Sequence, residues 1–345
     1  MKAVVYHGKN DVRVQQVPVP ACGPGELLVR IEACAVCGSD LKTFQNGNPR
    51  MQPPITMGHE FSGRVDTVGA GVRGFAPGER IVMATSVSCG ECFYCHRGWT
   101  NLCANLKPMG FAFPGGMAEY VVIPELAVRR GHVVKVPAGL APEHAALAEP
   151  VSCAVNCAEI CRIAKGDTVV LVGAGPMGIM NLYAAREFGA GKLILAQRAG
   201  KRLEQARQFA CDRLVDSGSE DLAKVVLEET GGVGADCVIV SAPSAGAQEQ
   251  ALALARKKGR VCLFASLPVG GNLLSLDSRK IHYGELELVG ASDSTARQVE
   301  KALSFLTRPQ FPKEKLVSHT FGLEDIHRAF DAMLSREAMR VILKP

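Results

Sequence analysis

Residues 168–178 read TVVLVGAGPMG, a short β-prone apolar run that ends in Gly173-Ala174-Gly175-Pro176-Met177-Gly178, with a helical pattern over 177–188 behind it. A strand, a glycine-rich turn and a helix in that order admit few folds. Gly173 permits the tight turn, Gly175 lets the backbone approach a pyrophosphate, and Gly178 lets helix and strand pack closely, while the helix N-terminus faces the phosphates. G-x-G-x-x-G alone is a weak signal, and a glycine turn of purely structural use is the competing reading. The strand-loop-helix context favours dinucleotide binding. Around this unit the patterns alternate: a helical stretch over 149–164, then KLILAQ, a helix over 201–209, a polar helix before Gly231, DCVIVSA, a helix near 249–257, GRVCLFA and ELELVGAS. Such alternation predicts a parallel, doubly wound α/β domain.

Residues 1 to about 150 have a different texture. Short β-prone runs (KAVVY, ELLVRIEACAV, FSGRVDTVG, RIVMA, AEYVVIP, HVVKVP) are separated by Gly, Pro and Asn turns, which predicts an antiparallel or barrel-like β domain. Beyond residue 293, helical patterns over 297–306 and 324–335 precede a closing strand, MRVILKP, that can return to the first domain. The predicted division is 1–153 for a β-rich domain, 154–293 for the nucleotide domain, and 294–345 for the return.

The second strand of a dinucleotide domain ordinarily ends in an acidic residue that holds the ribose diol. Here KLILAQ ends at Gln197, followed by Arg198, with Lys201 and Arg202 close behind. Loss of the carboxylate removes repulsion toward a 2′-phosphate, and Arg198 can pair with that phosphate, so the reading leans to NADP over NAD. The alternative is that these are solvated charges at a loop and helix start.

The 345 residues are 47% hydrophobic and 21% charged, with a formal net charge of +5 spread without a long basic run, which argues against a nucleic-acid partner. No stretch approaches 18 apolar residues, and the N-terminus meets charge too early for a signal peptide. A soluble, cytoplasmic protein with no membrane partner is expected. Thirteen cysteines, an odd number in a long chain without an export signal, fit metal ligation better than disulfides. Cys34, Cys153, Cys157, Cys161, Cys211, Cys237 and Cys262 sit in apolar neighbourhoods and read as small buried hydrophobes.

Residues 89–103, CGECFYCHRGWTNLC, place Cys89, Cys92, Cys95 and Cys103 at C-x2-C-x2-C-x7-C. Two-residue gaps let successive thiolates fold around one ion, and four of them close the tetrahedron, which reads as a structural zinc site. An iron–sulfur cluster also uses four cysteines but finds no supporting redox pattern here. His96 within the loop reads as a surface residue. Two further fragments, Cys37-Gly38-Ser39-Asp40 and Gly58-His59-Glu60, offer a thiolate, an imidazole and a carboxylate, a set suited to zinc with an open position. Spacing leaves this open: Cys37 also reads as a buried thiol, His59 as a core histidine, and Ser39-Asp40 as a helix cap.

Taken together in order and spacing, CGSD at 37–40, GHE at 58–60, the four-cysteine lobe, GGMAEY at 115–120, EP at 149–150 and GAGPMG at 173–178 resemble the zinc-containing medium-chain alcohol dehydrogenase superfamily, in its polyol (sorbitol-type) branch. The resemblance covers essentially the full length. It implies a GroES-like catalytic domain made from both ends of the chain, a Rossmann domain inserted between them, and a substrate cleft where they meet. It implies that Cys37, His59 and Glu60 surround a catalytic zinc, with Glu149 as fourth ligand or exchanging partner for water, and with Asp40 fixing the His59 ring. The implied reaction is hydride transfer between an alcohol, a polyol, sugar alcohol or its phosphate, and NAD(P), with Ser39 carrying the hydroxyl proton outward. Two zinc ions per chain follow, and relatives form homodimers or homotetramers. Many relatives have a histidine five residues after the cysteine, where this chain has Lys42. A lysine charged at neutral pH is a poor proton acceptor, so Lys42 reads instead as a binder of cofactor phosphate or an anionic substrate group, with Arg50 as a helper, or as an exposed loop charge. An L-threonine-type dehydrogenase is the enzymatic alternative. A catalytically retired binding protein is the other, against which stand the intact Cys37, Ser39, His59, Glu60 and glycine loop.

Overall fold

In the computed structural model, which describes residues 1–345, the strand Leu27–Val36 is buried along nearly its whole length and organises one of two compact units, Met1–Ser152 with Asp293–Pro345. Its sequence, LLVRIEACAV, is an almost unbroken apolar run, as expected of a strand covered on both faces. The sheet runs in the order Val133–Lys135, Arg80–Met83, Glu60–Val68, Leu27–Val36, Arg340–Lys344, Val317–Gly322, with Tyr120–Ile123 also paired to Leu27–Val36. Every pairing is antiparallel except Val317–Gly322 with Arg340–Lys344. Leu27, Val29, Ile31, Phe61, Ile81 and Phe330 form part of its core.

The register decides what meets at one end of that sheet. Ala35 lies opposite Glu60 on one side and Val36 lies opposite Val341 on the other. Cys37, which follows the central strand, therefore arrives beside the first residues of both neighbours, Glu60 and Arg340. A one-residue slip would send these side chains to the opposite face. Gly58 is fixed by the same crowding: its φ is +96°, and a Cβ there would stand 2.6 Å from Met117 Cγ and 2.8 Å from Cys34 Sγ.

The other unit, Cys153–Ser292, carries six parallel strands in the order Arg213–Asp216, Lys192–Gln197, Thr168–Val172, Ala235–Val240, Ala255–Leu263, Glu287–Gly290. The order reverses at Thr168–Val172, so the crevice for a ligand opens after that strand. The sequence reading omits Arg213–Asp216 and carries a helix through 257. The helix is Ala245–Gln250, extended by a single turn over Ala251–Ala253, and the next strand already starts at Ala255, opposite Ala235. A kink at Lys258 (φ 57°) accompanies a register shift, so the polar run RKKG belongs to an irregular strand that has no clean alternation to read. No helix is long and apolar enough to cross a membrane.

Candidate metal centres and dinucleotide site

Cys37, His59 and Glu60 place their donor atoms within 4.8 Å of one another. Cys37 is also the N-cap of the helix Gly38–Asn46: Asp40 reaches back to accept from the Cys37 N–H at 2.9 Å. The helix-cap reading of Asp40 and its orienting role therefore coincide, because the same carboxylate faces His59 Nδ1 at 3.6 Å. The Ser39 hydroxyl lies 3.5 Å from His59 Nε2. With Nδ1 turned to Asp40, Nε2 is the ring nitrogen on the Ser39 side that is left to face an ion.

The charges of the cluster are strongly coupled, and a proton held on His59 must leave before the ring can ligate. Burial pushes the Cys37 thiol up, but the His59 ring beside it more than offsets this and brings the pKa down to about 6, so the sulfur is largely thiolate at neutral pH. Burial opposes a charge on His59, yet Asp40 and Cys37 hold its pKa well above the ordinary imidazole value. Glu149, half-buried, is pushed up to about 8, chiefly by burial, with His59 pulling it down and Cys37 pushing it up. Glu149 thus feels the cluster electrostatically while standing outside the three donors that share one point.

Three neighbours escape the sequence reading. Arg340, 4% exposed, forms an ion pair with Glu60, 1% exposed, and so neutralises a carboxylate that would be costly to bury alone. Burial lowers the Arg340 pKa, with Cys37 and Asp40 opposing. Asp293, at φ 59°, has its carboxyl raised by burial while Ser86 donates to it. One arginine at the head of an apolar strand carries no sign of its partner some 280 residues earlier, and nothing in the sequence singles out Ser86 or Asp293. Lys42 is exposed on the helix surface. Arg50, also exposed, lies over the Phe111 ring at 5.4 Å, and that ring is 5.3 Å from the His59 ring.

The second cluster is the lobe. The sulfurs of Cys89, Cys92, Cys95 and Cys103 approach at 3.5 Å (Cys92–Cys95 and Cys103–Cys89), 3.9 Å (Cys92–Cys103) and 4.0 Å (Cys89–Cys95). Tetrahedral zinc–sulfur bonds of ~2.3 Å put sulfurs ~3.8 Å apart, so the set fits the ion. Backbone N–H groups of Cys95 and Ala104 bring Cys92 down to about 6. His96 is exposed and is not one of the four donors. The root of the lobe is tied by buried His132, whose Nδ1–H donates to the Ala84 carbonyl (3.1 Å) while Nε2 accepts from the Ser88 N–H (3.2 Å). That obligate donor fixes the tautomer, and burial lowers the ring's pKa.

In the nucleotide unit, a Cβ at Gly178 would sit 1.8 Å from the Gly173 carbonyl oxygen, so helix and strand need glycine there. A Cβ at Gly175 would meet nothing, so the protein's own packing does not demand glycine at that point. Gly175 caps the helix Pro176–Glu187 with no side-chain hydrogen bond, leaving the first N–H groups of the helix, which includes Met177, without a capping side chain. These features fit a pyrophosphate. A cavity of about 620 Å³ adjoins Gly173, Gln197, Arg198, Ser217, Glu220 and Asp221. Gln197 accepts from the Ala174 N–H at 2.9 Å. Asp221 caps the helix Leu222–Glu229 and Glu220 pairs with Arg213, which leaves exposed Arg198 as the cavity's basic residue. Arg202 lies outside the cavity lining and donates to Gln205 at 2.8 Å.

The family model of the alcohol dehydrogenase GroES-like domain matches residues 23–138, and that of the zinc-binding dehydrogenase matches residues 176–308. A sorbitol dehydrogenase of Halalkalibacterium halodurans is 34% identical over 100% of this chain and 99% of that protein. The chain belongs to the zinc-containing medium-chain alcohol dehydrogenase superfamily, in its polyol branch. An erythritol/L-threitol dehydrogenase of Mycolicibacterium smegmatis is 32% identical over 100% of this chain and 98% of its own length. A crystal structure of a zinc-binding dehydrogenase of Sinorhizobium meliloti 1021, bound to NADP, superposes with a TM-score of 0.92 at 30% identity, covering 100% of this chain and 99% of that one. This member of the superfamily is accordingly an oxidoreductase that transfers hydride between an alcohol and a nicotinamide dinucleotide, with the α/β fold expected from its GroES-like and Rossmann parts.

Proposed function

We propose that this dehydrogenase interconverts a polyol or sugar alcohol, free or phosphorylated, with its carbonyl, that it holds two zinc ions per chain, and that it takes NADP in preference to NAD. The convergence of Cys37, His59 and Glu60 within 4.8 Å, next to the Ser39 hydroxyl, carries the reading. Cys37, His59 and Glu60, with Glu149 as fourth ligand or exchanging partner, hold the catalytic zinc; Cys89, Cys92, Cys95 and Cys103 hold the structural one. When bound, zinc supplies the Lewis acid that lowers a substrate hydroxyl's pKa, and the nicotinamide supplies the hydride acceptor. Asp40 keeps the His59 ring in orientation through Nδ1. Ser39, able to accept and donate at once, takes the hydroxyl proton and passes it outward. Lys42, exposed and cationic, serves anion binding in place of a proton relay.

Inclusion of phosphorylated substrates is supported by Arg50, whose guanidinium sits over Phe111 beside His59. The NADP preference is supported by Gln197-Arg198 at the cavity and by the NADP-bound relative. An exposed edge strand, Glu287–Gly290, paired on one side only, supports joining of the nucleotide-unit sheets into a homodimer or homotetramer. Formation of reduced nicotinamide is followed with polyols, polyol phosphates and L-threonine, each with NAD and with NADP. Turnover with polyols or their phosphates is expected, and preference for L-threonine overturns the substrate reading. Arg198→Ala should lower kcat/KM for NADP roughly ten- to hundredfold, the value of about 1.5–3 kcal/mol for a hydrogen bond to a charged group, with NAD little affected. A wild-type kcat/KM ratio of NADP to NAD at or below one sinks the cofactor preference.

A further inference from the structure

A third group of donors lies inside the nucleotide unit. Cys157 and Cys161 are four residues apart at the end of the helix Ala148–Ile160 and share one face; Cys262 comes from the strand Ala255–Leu263. The three sulfurs lie within 4.8 Å of one another, and Cys157 Sγ is 3.6 Å from Cys262 Sγ. That spacing falls within the 3.5–4.0 Å range of the lobe. It also approaches the ~4.0 Å expected for three sulfurs bonded at ~2.3 Å to a central ion. None of the three exposes any surface. Cys237, on the adjacent strand, hydrogen-bonds Cys161 and flanks the group. Cysteines that merely fill volume have no reason to aim their sulfurs at one another from two elements, because the S–H group is a weak donor and acceptor and gains little from doing so. A cation also lies beside the group: Arg260, whose side chain is 11% exposed, donates to the carbonyls of Cys161 and Arg162 and pairs with Asp167 at 3.4 Å.

We propose that Cys157, Cys161 and Cys262 form an enclosed thiolate site for one thiophilic cation, Zn²⁺ or Cu⁺, in the nucleotide unit, separate from both the lobe and the Cys37 centre. Soft thiolates select such ions. Each thiol that ligates gives up its proton to solvent, so uptake releases up to three protons per ion with no change of oxidation state. With no surface open at the sulfurs, the cation enters as the unit folds and afterwards resists chelators. Three thiolates around Zn²⁺ leave one negative charge and around Cu⁺ they leave two, next to the Arg260–Asp167 pair.

The full-length chain is produced in cells supplied with zinc and, separately, with copper, then purified with chelator under reducing conditions, and its metal counted per chain. Cys157→Ala and Cys262→Val, which keep an apolar filling, are treated alike, with circular dichroism and Tm establishing that they fold; metal content is compared among folded samples. The wild type is expected to hold one equivalent more than either variant, in zinc or in copper according to which cation the site takes, and Cys92→Ser should lose a different equivalent while keeping this one. Equal metal content in wild type and both folded variants overturns the proposal. So does a disulfide-linked peptide pair joining Cys157 to Cys262, found by mass spectrometry of a non-reduced digest of the metal-free protein.

Discussion

The four-cysteine lobe and the Cys37 centre are two ways of bringing together donors that could hold a metal ion. The lobe draws all its donors from residues 89–103, leaves Cys89, Cys92 and Cys95 partly exposed, and needs only local turns to bring them together. The Cys37 centre draws from two fragments at the ends of neighbouring strands, sits among buried charges, and receives the guanidinium of Arg340 from a third strand. A local motif can specify a closed site by spacing alone. A site with buried, charged donors depends on sheet register, and its chemistry depends on groups that the spacing never reveals.

The contrast is sharpest if each site is broken separately. His59→Ala should remove several kcal/mol of transition-state stabilisation, lowering kcat/KM by about 10³-fold while circular dichroism and Tm change little. Cys92→Ser should do the reverse, losing the lobe's zinc and lowering Tm while turnover of the folded protein stays within a few-fold. If Cys92→Ser abolished turnover in protein that remains folded, the lobe would not be a purely structural element. Asp40→Asn tests dependence on neighbours: it weakens the hold on His59 and should cost roughly 10–100-fold in zinc affinity at the Cys37 centre, with lobe zinc retained. Competition with a chelator, read as zinc per chain, measures it.

The smallest expected effect concerns the lobe's root. The folded His132 pKa lies below its unfolded value, so the unfolded chain binds the proton first as pH falls. The neutral ring's contribution is complete above the unfolded pKa of about 6.5 and is lost as pH drops through that value toward the folded one. Thermal unfolding across this window should show Tm declining more steeply in wild type than in His132→Gln. Parallel profiles would show that the ring is not titrating against Ser88.

Legibility in the sequence follows the same division. The strand-loop-helix of Thr168–Val172, its glycines and Pro176–Glu187 is local and strongly patterned, as are the lobe and the six β runs before residue 150. The start of Ala255–Leu263 escapes because a kinked, polar edge such as RKKG lacks a period, and Arg213–Asp216 because four residues carry little pattern. Cys37, His59 and Glu60 are visible as candidates but not as neighbours, since Ala35↔Glu60 is a matter of register. The meeting of Cys157 and Cys161 with Cys262 is hidden for the same reason: a helix and a distant strand must first fold together.

The strand Arg340–Lys344 has a consequence for the order in which the molecule can be made. It lies against Leu27–Val36, from which it is separated in the chain by the whole inserted unit. A ribosome therefore releases Cys153–Ser292, able to close its own sheet, before the surrounding unit can receive its final strand. Until then Glu60 has no guanidinium beside it, and Leu27–Val36 offers an open edge at Cys34, Ala35 and Val36. Completion of the Cys37 centre is thus a late event in biogenesis, coupled to the emergence of Arg340–Lys344, whereas the four sulfurs of the lobe can come together as soon as residue 103 has emerged.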